Sequence, residues 1–558
     1  MAPSCSAKPK FARGPPLIPP KDRCIINTLP TELLSHIFVL GLELVDKDVW
    51  DIEAHLNEEG EESIPQNNGD PDCEDVESDS KDEDEEVQGG TEPEPDWQIL
   101  VSAVCRRWRE VALEIPQLWS KVIFTEKSSL EKAYTYLRRT KGAPLKICID
   151  FTNDSDESHK IWPPMISDED YLMARTKGII SIITTHMKRV AILEVMVKFW
   201  RHMSVLLAFL GSCDGAPMLE VLRLSRHELE DEDDIREDGH PLSPIPESDK
   251  QQDFLLFKGD LPRLRHVALW GVHVDWEKSL FLKNLTMLEL SYHEADLAPS
   301  FKAFARILRS SPNLNALTIL QSGPRGGPIE WLESVTGRTN DVDADLGMQI
   351  DLPNVKTFVL ASVDRQYAID LMDCLVLTGL YSLTLDFGEG DSTEFISSLI
   401  KPHRVTGKSI LSTLTHVRLG GLGVCKKQVL DDMAFAMQNI TSLYIEYRHL
   451  GDATWYDFLI PPLGRKVHFP CLEELHSIGL PGFKLVELVR ARKVAGVPLQ
   501  QLFVGIGAYM DEDEEQWLKE KSGLKTFELF AHSDDSDEEE SYDGTVILDE
   551  EDMDSDDD

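Results

Sequence analysis

The chain has 558 residues and a formal net charge of −43, with 99 Asp and Glu against 56 Lys and Arg. Nucleic acid and anionic membrane surfaces are disfavoured as partners, because binding phosphate groups needs concentrated Lys and Arg. No apolar run approaches the roughly 20 residues needed to cross a bilayer, so we expect a soluble chain of the cytosol or nucleus with no membrane partner.

The first predicted element follows a Pro- and Lys-rich stretch, residues 1–24, which predicts a disordered tail without a signal-peptide core. Thr28 or Thr31 could cap a helix there, and Pro30 suits its first turn. Apolar residues recur at helical spacing on two adjacent rows: Leu33, Ile37 and Leu40, and Leu34, Phe38 and Leu42. This set is too wide for one buried stripe on a short helix.

A strongly acidic stretch, residues 46–96, comes next and contains 22 Asp and Glu against two Lys. Such a composition cannot bury a core and predicts disorder, although Trp50 and Ile52 indicate that the first helix runs a little further. Closing a loop of this length costs roughly 2 kcal/mol more than closing a short one. The tail 531–558, with 15 acidic and no basic residues, predicts disorder as well.

A second helical pattern lies beyond the acidic stretch. Its apolar residues at helical spacing are Ile99, Leu100, Ala103, Val104, Trp108, Val111 and Ala112. Pro116 ends this predicted helix, and Leu118 and Trp119 fold back as an apolar anchor. Periodicity alone leaves two interpretations open: a helical hairpin that packs on its own domain, or a module that presents apolar residues to a partner.

The order of residue types in these two segments, LPTELLSHIF and VCRRWREVALEIPQLW, resembles the F-box, and especially the F-box-like proteins expanded in mushroom-forming fungi. The resemblance covers 25–45 and 97–124, and the acidic insertion interrupts it. It implies a helical module over 25–124 that binds a Skp-type adaptor and, through it, a cullin. The residues that it assigns to the adaptor face or the core beneath are Leu29, Pro30, Leu33, Ile37, Phe38, Val104, Cys105, Trp108, Leu118 and Trp119.

Residues 125–186 are expected to form a connecting segment, with a strand at Pro144–Asp150. From 187 to 530 a short pattern, apolar-x-x-apolar-x-apolar, keeps returning. Clear copies are Leu219/Leu222/Leu224, Leu264/Val267/Leu269, Leu285/Leu288/Leu290, Leu314/Leu317/Ile319, Val355/Phe358/Leu360, Leu380/Leu383/Leu385, Leu414/Val417/Leu419, Ile440/Leu443/Ile445, Leu499/Leu502/Val504 and Leu524/Phe527/Leu529. Met187/Val190/Ile192 would open the series, and Leu472/Leu475 is a degraded copy.

Helical patterns fill the gaps between these copies, as at Phe301, Phe304 and Leu308. A short strand followed by a helix at this period resembles a leucine-rich repeat, which implies a βα solenoid with strands inside and helices outside. Insertions are expected at 226–258 and 321–350, which are rich in Gly, Pro and acidic residues. The predicted fold class is therefore α/β, and an ordinary α/β domain is the alternative.

Residues that flank the buried strand positions would point to the concave face of such a solenoid, because strand side chains alternate. Aromatic and Arg side chains are common interface anchors, so we expect this face to bind a protein target. The candidates are Arg223, His266, Trp270, His416, Arg418, Tyr444, His476 and Phe503. The alternative is that these are ordinary surface residues.

Enzyme motifs are weak throughout. Gly407-Lys408-Ser409 resembles the end of a phosphate-binding loop, but the position of the motif's first Gly holds Pro402. Gly421-Leu422-Gly423 lacks the third Gly of a dinucleotide fingerprint, since Lys426 stands there. The nine Cys and sixteen His show no metal-ligand spacing. We expect no catalytic residues, cofactor, metal or small-molecule ligand.

These expectations describe a non-catalytic adaptor: a helical module that docks a Skp-type adaptor of a cullin-type ubiquitin ligase, and a solenoid that holds an unidentified target protein. A second hypothesis keeps the fold and drops the ligase. The chain would then be an interaction scaffold, or an acidic chaperone of histone type whose charged segments bind basic proteins.

Overall fold

The computed structural model describes residues 26, 29–50, 96–152, 168–227, 242–252, 254–336, 348–388, 390–403, 407–447, 455, 458–460, 467–505 and 510–530. The chain divides into two compact units. Unit 1 comprises Met1–Trp50, Ser80–Glu228 and Leu255–Arg263, and unit 2 comprises Asp51–Asp79, Leu229–Phe254 and Leu264–Asp558. Among the described residues, no helix is both long and apolar enough to span a membrane.

Unit 1 opens with three helices and a 3₁₀ turn: α1 (Thr31–Trp50), α2 (Trp97–Val104), α3 (Arg106–Glu114) and Pro116–Trp119. The single helix predicted across Ile99–Ala112 is wrong. Cys105 is extended (φ −158°, ψ 170°), and its Sγ accepts the backbone N–H of Trp108 at 3.5 Å, so it starts a new helix. Because α1 reaches Trp50 and α2 starts after Asp96, the predicted insertion 46–96 is too long at its N-terminal end. Its remainder, 51–95, lies outside the described residues.

The rest of unit 1 is a parallel βα arrangement. Its elements are β1 (Lys121–Thr125), α4 (Leu130–Arg139), β2 (Leu145–Phe151), α5 (Asp168–Thr184), β3 (Val190–Val197), α6 (Trp200–Ser212) and β4 (Val221–Arg226), with 3₁₀ segments at Met187–Arg189 and Leu256–Gly259. The strands pair in chain order, β1 with β2, β2 with β3 and β3 with β4.

The predicted connecting segment, 125–186, is therefore not a connector. It contains β2 and two crossover helices of the same sheet, which begins at Lys121 rather than at residue 187. The predicted triplet Met187/Val190/Ile192 is also three positions out of register, because Leu193 and Val195 pair with Leu222 and Leu224 of the next copy. Val190, Leu193 and Val195 are buried, while Ile192 is only half-buried.

Unit 2 repeats the same architecture. Its strands are β5 (His266–Trp270), β6 (Met287–Ser291), β7 (Ala316–Leu320), β8 (Ile350–Asp351), β9 (Thr357–Ala361), β10 (Leu375–Val376), β11 (Ser382–Asp386), β12 (His416–Gly420), β13 (Ser442–Glu446), β14 (Glu474–Ile478), β15 (Gln501–Gly505) and β16 (Thr526–Phe530). Apart from β8 and β10, which pair with each other, these strands pair in parallel and in chain order. The α/β class and the parallel βα progression are as predicted.

The helices of unit 2 are α7 (Glu247–Lys250), α8 (Phe301–Arg309), α9 (Pro328–Thr336), α10 (Arg365–Cys374), α11 (Thr393–Ile400), α12 (Lys427–Ala436), α13 (Gly482–Val494) and α14 (Glu512–Glu520), with a 3₁₀ segment at Ile410–Thr413. Short polar side chains start several of them. Ser300 Oγ accepts the N–H of Ala303 at 3.1 Å, and Asp364 caps α10. The predicted apolar face of α8 is buried, including Phe301, Phe304 and Leu308.

A ladder of backbone hydrogen bonds marks equivalent positions in successive repeats. The residue before each strand donates its N–H to the corresponding carbonyl one repeat earlier: Lys356 to Asn315 at 2.8 Å, Tyr381 to Lys356 at 2.8 Å, Thr415 to Tyr381 at 3.0 Å and Thr441 to Thr415 at 2.8 Å. Two copies of the apolar pattern deviate. The third position is Ser477 in β14, and in β16 it is Leu529, which is exposed.

Both predicted insertions carry structure. In 321–350, α9 packs against α8, where the rings of Trp331 and Phe301 stack at 5.1 Å. In 226–258, Lys250 of α7 contacts the buried Glu294 carboxylate at 2.8 Å. Each segment thus contains a helix, although it is rich in Gly, Pro and acidic residues. Residues 228–241 and 337–347, like 1–24 and 531–558, lie outside the described residues.

Candidate interaction surfaces

The two halves of the N-terminal helical module meet at a glycine. The Trp97 indole of α2 lies across α1, and its Nε1 donates to the carbonyl of Phe38 at 2.9 Å. A Cβ added at Gly41 would stand 2.3 Å from Trp97 Cζ2, so the ring fits only because position 41 has no side chain. This contact closes the module across residues 51–95.

A second contact joins α1 to α3. The rings of Phe38 and Trp108 lie 5.0 Å apart in a tilted arrangement, and Phe38 is fully buried. The guanidinium of Arg107 donates to the carbonyl of Leu29, just before α1 begins. The Val-Cys-Arg-Arg-Trp segment thus supplies both an apolar and a polar contact to the first half of the module.

The end of the module is fixed to α4. Trp119 Nε1 donates to the carbonyl of Ala112 at 2.9 Å, and the Tyr136 ring meets Trp119 edge-on at 5.1 Å. The Tyr136 hydroxyl donates to Asp96 at 2.7 Å, and Lys132 contacts the same carboxylate at 2.7 Å. Burial, and then the neighbouring Asp96, raise the pKa of Tyr136 above its ordinary range.

The residues predicted for the adaptor face divide into three groups by exposure. Phe38, Leu118 and Trp119 are buried and form the module core. Leu29, Cys105 and Trp108 are half-buried. Pro30, Leu33, Ile37 and Val104 are exposed. The prediction named these residues as adaptor face or core beneath it, and the structure shows which of them are buried and which are exposed.

The exposed group belongs to a larger surface. Leu33, Ile37, Leu40 and Leu44 follow one another at i, i+4, i+7 and i+11 along α1, and each is between 41% and 64% exposed. We call these four residues the apolar stripe. On the adjoining α2, Ile99, Leu100 and Val104 are also exposed. The helical spacing could have identified Leu44 as a member, but the motif used for prediction ended at Phe38.

Strand register in unit 2 brings four of the predicted target-binding residues onto one row. Arg418, Tyr444, His476 and Phe503 occupy the middle positions of β12, β13, β14 and β15, and each is paired with the next. The Arg418 guanidinium lies 4.1 Å from the centre of the Tyr444 ring. His476 stacks on Tyr444 at 5.8 Å and on Phe503 at 4.4 Å. We call these four residues the aromatic ladder.

Glu474 supports this ladder and was missed by the sequence analysis. Its Oε1 accepts the Ser442 hydroxyl at 2.9 Å and lies 3.0 Å from His476 Nε2. Residue 474 is the first position of β14, two before His476, so the two side chains leave the same face of the strand. From the sequence, the pairing of Glu474 with His476 could have been predicted only by assigning both residues to one strand.

The other predicted target-binding residues lie apart from the ladder. His416 is near it but packs against Tyr381, with ring centroids 4.6 Å apart. His266 and Trp270 belong to β5, five places away in the strand order, where Trp270 packs on Tyr292. Arg223 belongs to unit 1 and lies 3.4 Å from the buried Glu194. Of the eight predicted residues, the four at the middle positions of β12 to β15 thus form one continuous row.

The weak enzyme motifs occupy structural turns. Ser409 Oγ accepts the N–H of Leu411 at the start of a 3₁₀ segment and donates to the Leu399 carbonyl at 2.8 Å. Gly421 and Gly423 have positive φ values in the turn after β12, where a Cβ on Gly423 would stand 2.1 Å from the carbonyl oxygen of Gly390. In the part of the chain that the structure describes, no group of His, Cys, Asp and Glu is arranged to hold a metal ion.

Comparison with protein-family models finds no matching family, and comparison with curated proteins finds no match. The functional assignment therefore depends on the apolar stripe and on the aromatic ladder, considered together with the sequence motifs.

Proposed function

We propose that this chain is a substrate-recognition subunit of a cullin-type ubiquitin ligase, in which an F-box-like module docks a Skp-type adaptor and a leucine-rich-repeat-like sheet binds the target protein. The observation that carries the proposal is the apolar stripe. Its four side chains stay exposed beside a module core that is closely packed around Phe38 and Trp108.

Exposing this stripe to water is costly unless a partner covers it. Full burial of one Leu or Ile side chain is worth about 1.5–3 kcal/mol, so four such side chains could anchor a stable interface. Contiguous exposed apolar surface of this kind marks protein-binding sites. The F-box resemblance runs through the same helix, which is why a Skp-type adaptor is the partner that we propose.

The packing beneath the apolar stripe is an argument that the proposed docking surface is already ordered before a partner binds. Trp97 and Trp108 both pack against the buried side of α1, at Gly41 and Phe38, and Trp119 fixes the end of the module to α4. A rigid surface loses less conformational entropy when it binds. In the proposed role the chain forms and breaks no bonds itself; it raises the effective concentration of a target lysine near the ubiquitin-charged enzyme.

The test measures binding of the full chain to a purified Skp-type adaptor. Ile37→Asp puts a charge in the middle of the stripe on an exposed position, so the module should still fold. The matched control is Ile329→Asp, because Ile329 is an exposed helical Ile of unit 2 with 73% exposure. We expect Ile37→Asp to weaken binding at least about 100-fold, since burying an unpaired charge is unfavourable, and Ile329→Asp to leave it unchanged.

Recovery of a cullin through the adaptor is the second readout, and it should be lost with Ile37→Asp. If the folded wild-type chain does not bind the adaptor, or if Ile37→Asp binds as well as Ile329→Asp does, the ligase proposal is wrong.

The uneven charge favours a second candidate, an acidic scaffold or histone-type chaperone. Of the net charge of −43, residues 46–96 carry −20 and residues 531–558 carry −15. This role predicts binding of histones that is lost at high salt and lost when the acidic residues of 51–95 and 531–558 become Asn or Gln. Such binding should be unaffected by Ile37→Asp, which separates the two candidates.

A further inference from the structure

We infer that the open face of the unit 2 sheet around the aromatic ladder binds an extended protein segment that bears arginine or lysine side chains. The inference rests on the proposed target-binding role of this face and is independent of adaptor docking. Three features carry it: the continuity of the ladder, the charge of the surrounding strand positions, and a cation already placed on one of its rings.

The ladder is continuous because consecutive strands pair without a shift in register. Leu443, Leu475 and Leu502 are buried on the opposite side, so Tyr444, His476 and Phe503 face outward and remain half-exposed. Neighbouring strands lie about 4.8 Å apart, so the four ladder positions span about 14 Å across the sheet. An extended segment of about four or five residues would cover that distance.

The charge on this face is predominantly negative. In each five-residue strand, the first, third and fifth residues are the outward positions. At these positions in β5–β7, β9 and β11–β16, Arg418 carries the single guanidinium. The same positions carry five carboxylates: Glu289, Asp386, Glu446, Glu474 and Glu528. Two of these, the half-buried Glu474 of β14 and the exposed Glu528 of β16, lie within two strands of His476, while Glu446 of β13 is buried. An acidic segment would meet repulsion here, whereas a basic one would be attracted.

Aromatic faces next to carboxylates are the combination that recognises guanidinium and ammonium groups. The ladder contains an example, since Arg418 lies over the Tyr444 ring at 4.1 Å. His476 and Phe503, stacked at 4.4 Å with an interplanar angle of 14°, present a second aromatic surface beyond it. Glu474, fixed by Ser442, lies at the edge of this surface and would accept hydrogen bonds from a bound side chain.

The experiment selects binders for the full chain from a displayed library of random 12-residue peptides at physiological salt, and then measures the affinities of the selected peptides. The ladder variant is Tyr444→Ala/Phe503→Ala. Its matched control is Tyr134→Ala/Phe483→Ala, which removes an exposed Tyr and an exposed Phe from helices α4 and α13. Because the acidic segments attract basic peptides by themselves, only the difference between these two variants is diagnostic.

We expect the selected peptides to be enriched in Arg or Lys, to bind the control like the wild type, and to bind the ladder variant at least 10-fold more weakly. Glu474→Gln keeps the shape of the site while it removes a charge, and should weaken the same peptides by 3- to 10-fold. This variant keeps the test decisive if the double substitution does not fold.

Selection of peptides without excess Arg or Lys would overturn the inference. So would basic peptides that bind wild type, ladder variant and Glu474→Gln equally, since the acidic segments would then be the binding site. Adaptor binding is measured on the same proteins. A wild-type chain that binds the selected peptides through the ladder but does not bind the adaptor would contradict the ligase proposal alone. A chain that binds the adaptor but selects no ladder-dependent basic peptides would contradict this inference alone.

Discussion

Leucine and isoleucine side chains are buried to different extents in the helical module of unit 1 and in the repeats of unit 2. In the repeats, the three apolar positions of nearly every copy are buried, from Leu285, Leu288 and Leu290 onward. In α1, only one of the two apolar rows is covered: Leu34 and Phe38 are buried, while Leu33 and Ile37 are exposed. Apolar residues beyond what the core can cover therefore mark the surface that we propose as the docking site.

The physical reason lies in the two periodicities. A strand places its apolar side chains on one face, and the crossover helices cover that face completely. The α1 helix carries apolar residues on two adjacent rows, and the contacts through Trp97 and Trp108 cover one of them. In the repeats, the residues between the apolar positions of β12 to β15 stay accessible, and the aromatic ladder lies there.

The largest expected effect tests the two rows of α1. Phe38→Ala should lower the unfolding free energy of unit 1 by roughly 3–5 kcal/mol, because it empties a fully buried site against Trp108. Ile37→Ala, one residue away, should change it by less than about 0.5 kcal/mol. Urea denaturation followed by tryptophan fluorescence measures both. Equal losses of unfolding free energy in the two variants would mean that the apolar stripe is part of the core. The distinction between a buried and an exposed row of α1 would then be wrong.

A smaller effect is expected where the halves of the module close. Gly41→Ala should destabilise unit 1 by about 1–3 kcal/mol, because the new Cβ would overlap the Trp97 ring. Gly142→Ala is the matched control, since a Cβ there has open space around it. Hydrogen exchange of α2 should rise only in Gly41→Ala. If both variants behave alike, the Trp97 contact does not hold the halves together.

In the βα part of unit 1, His202 should make the unfolding free energy depend on pH. Burial, and then the nearby Arg201, lower the pKa of His202 to about 4. The unfolded chain takes up a proton below about pH 6.5, and the folded chain does so only near 4. Stability should therefore fall between pH 6.5 and 4, by about 1 kcal/mol per pH unit.

His202→Phe should flatten this dependence, because the phenyl ring takes up no proton. Urea midpoints at pH 7 and pH 5 measure it for both proteins. If the urea midpoint of His202→Phe differs between pH 7 and pH 5 as much as that of the wild type, groups other than His202 cause the loss of stability.

The smallest expected effect concerns the degraded repeat copy. Ser477 takes the position that holds Ile445 and Val504 in the neighbouring strands, and its buried hydroxyl has no hydrogen-bond partner among the described residues. Ser477→Val should stabilise unit 2 by about 1 kcal/mol, because it replaces an unsatisfied polar group by an apolar one. A thermal denaturation scan is sufficient. A loss of stability would mean that β14 has no room for the larger residue.

Local patterns predicted most of the strands, because each strand needs only its own alternation of buried residues. The patterns failed for β1, in Lys121–Thr125, although Trp119, Val122 and Phe124 have the triplet spacing, because Trp119 was assigned to the helical module. They placed β2 outside the repeat region, because Pro144 stands at the first triplet position there. They also missed the break at Cys105. Cysteine is not a helix breaker, and the break depends on the Sγ hydrogen bond to Trp108.

The sequence by itself determined the α/β class and the positions of most strands. It also determined that α1 carries more apolar residues than packing on one side of the helix can bury. These depend on residues within one or two turns of each other. Only the tertiary structure decided which row of α1 stays exposed and which candidates meet. Arg418, Tyr444, His476 and Phe503 follow one another at intervals of 26, 32 and 27 residues, so strand register alone brings them together.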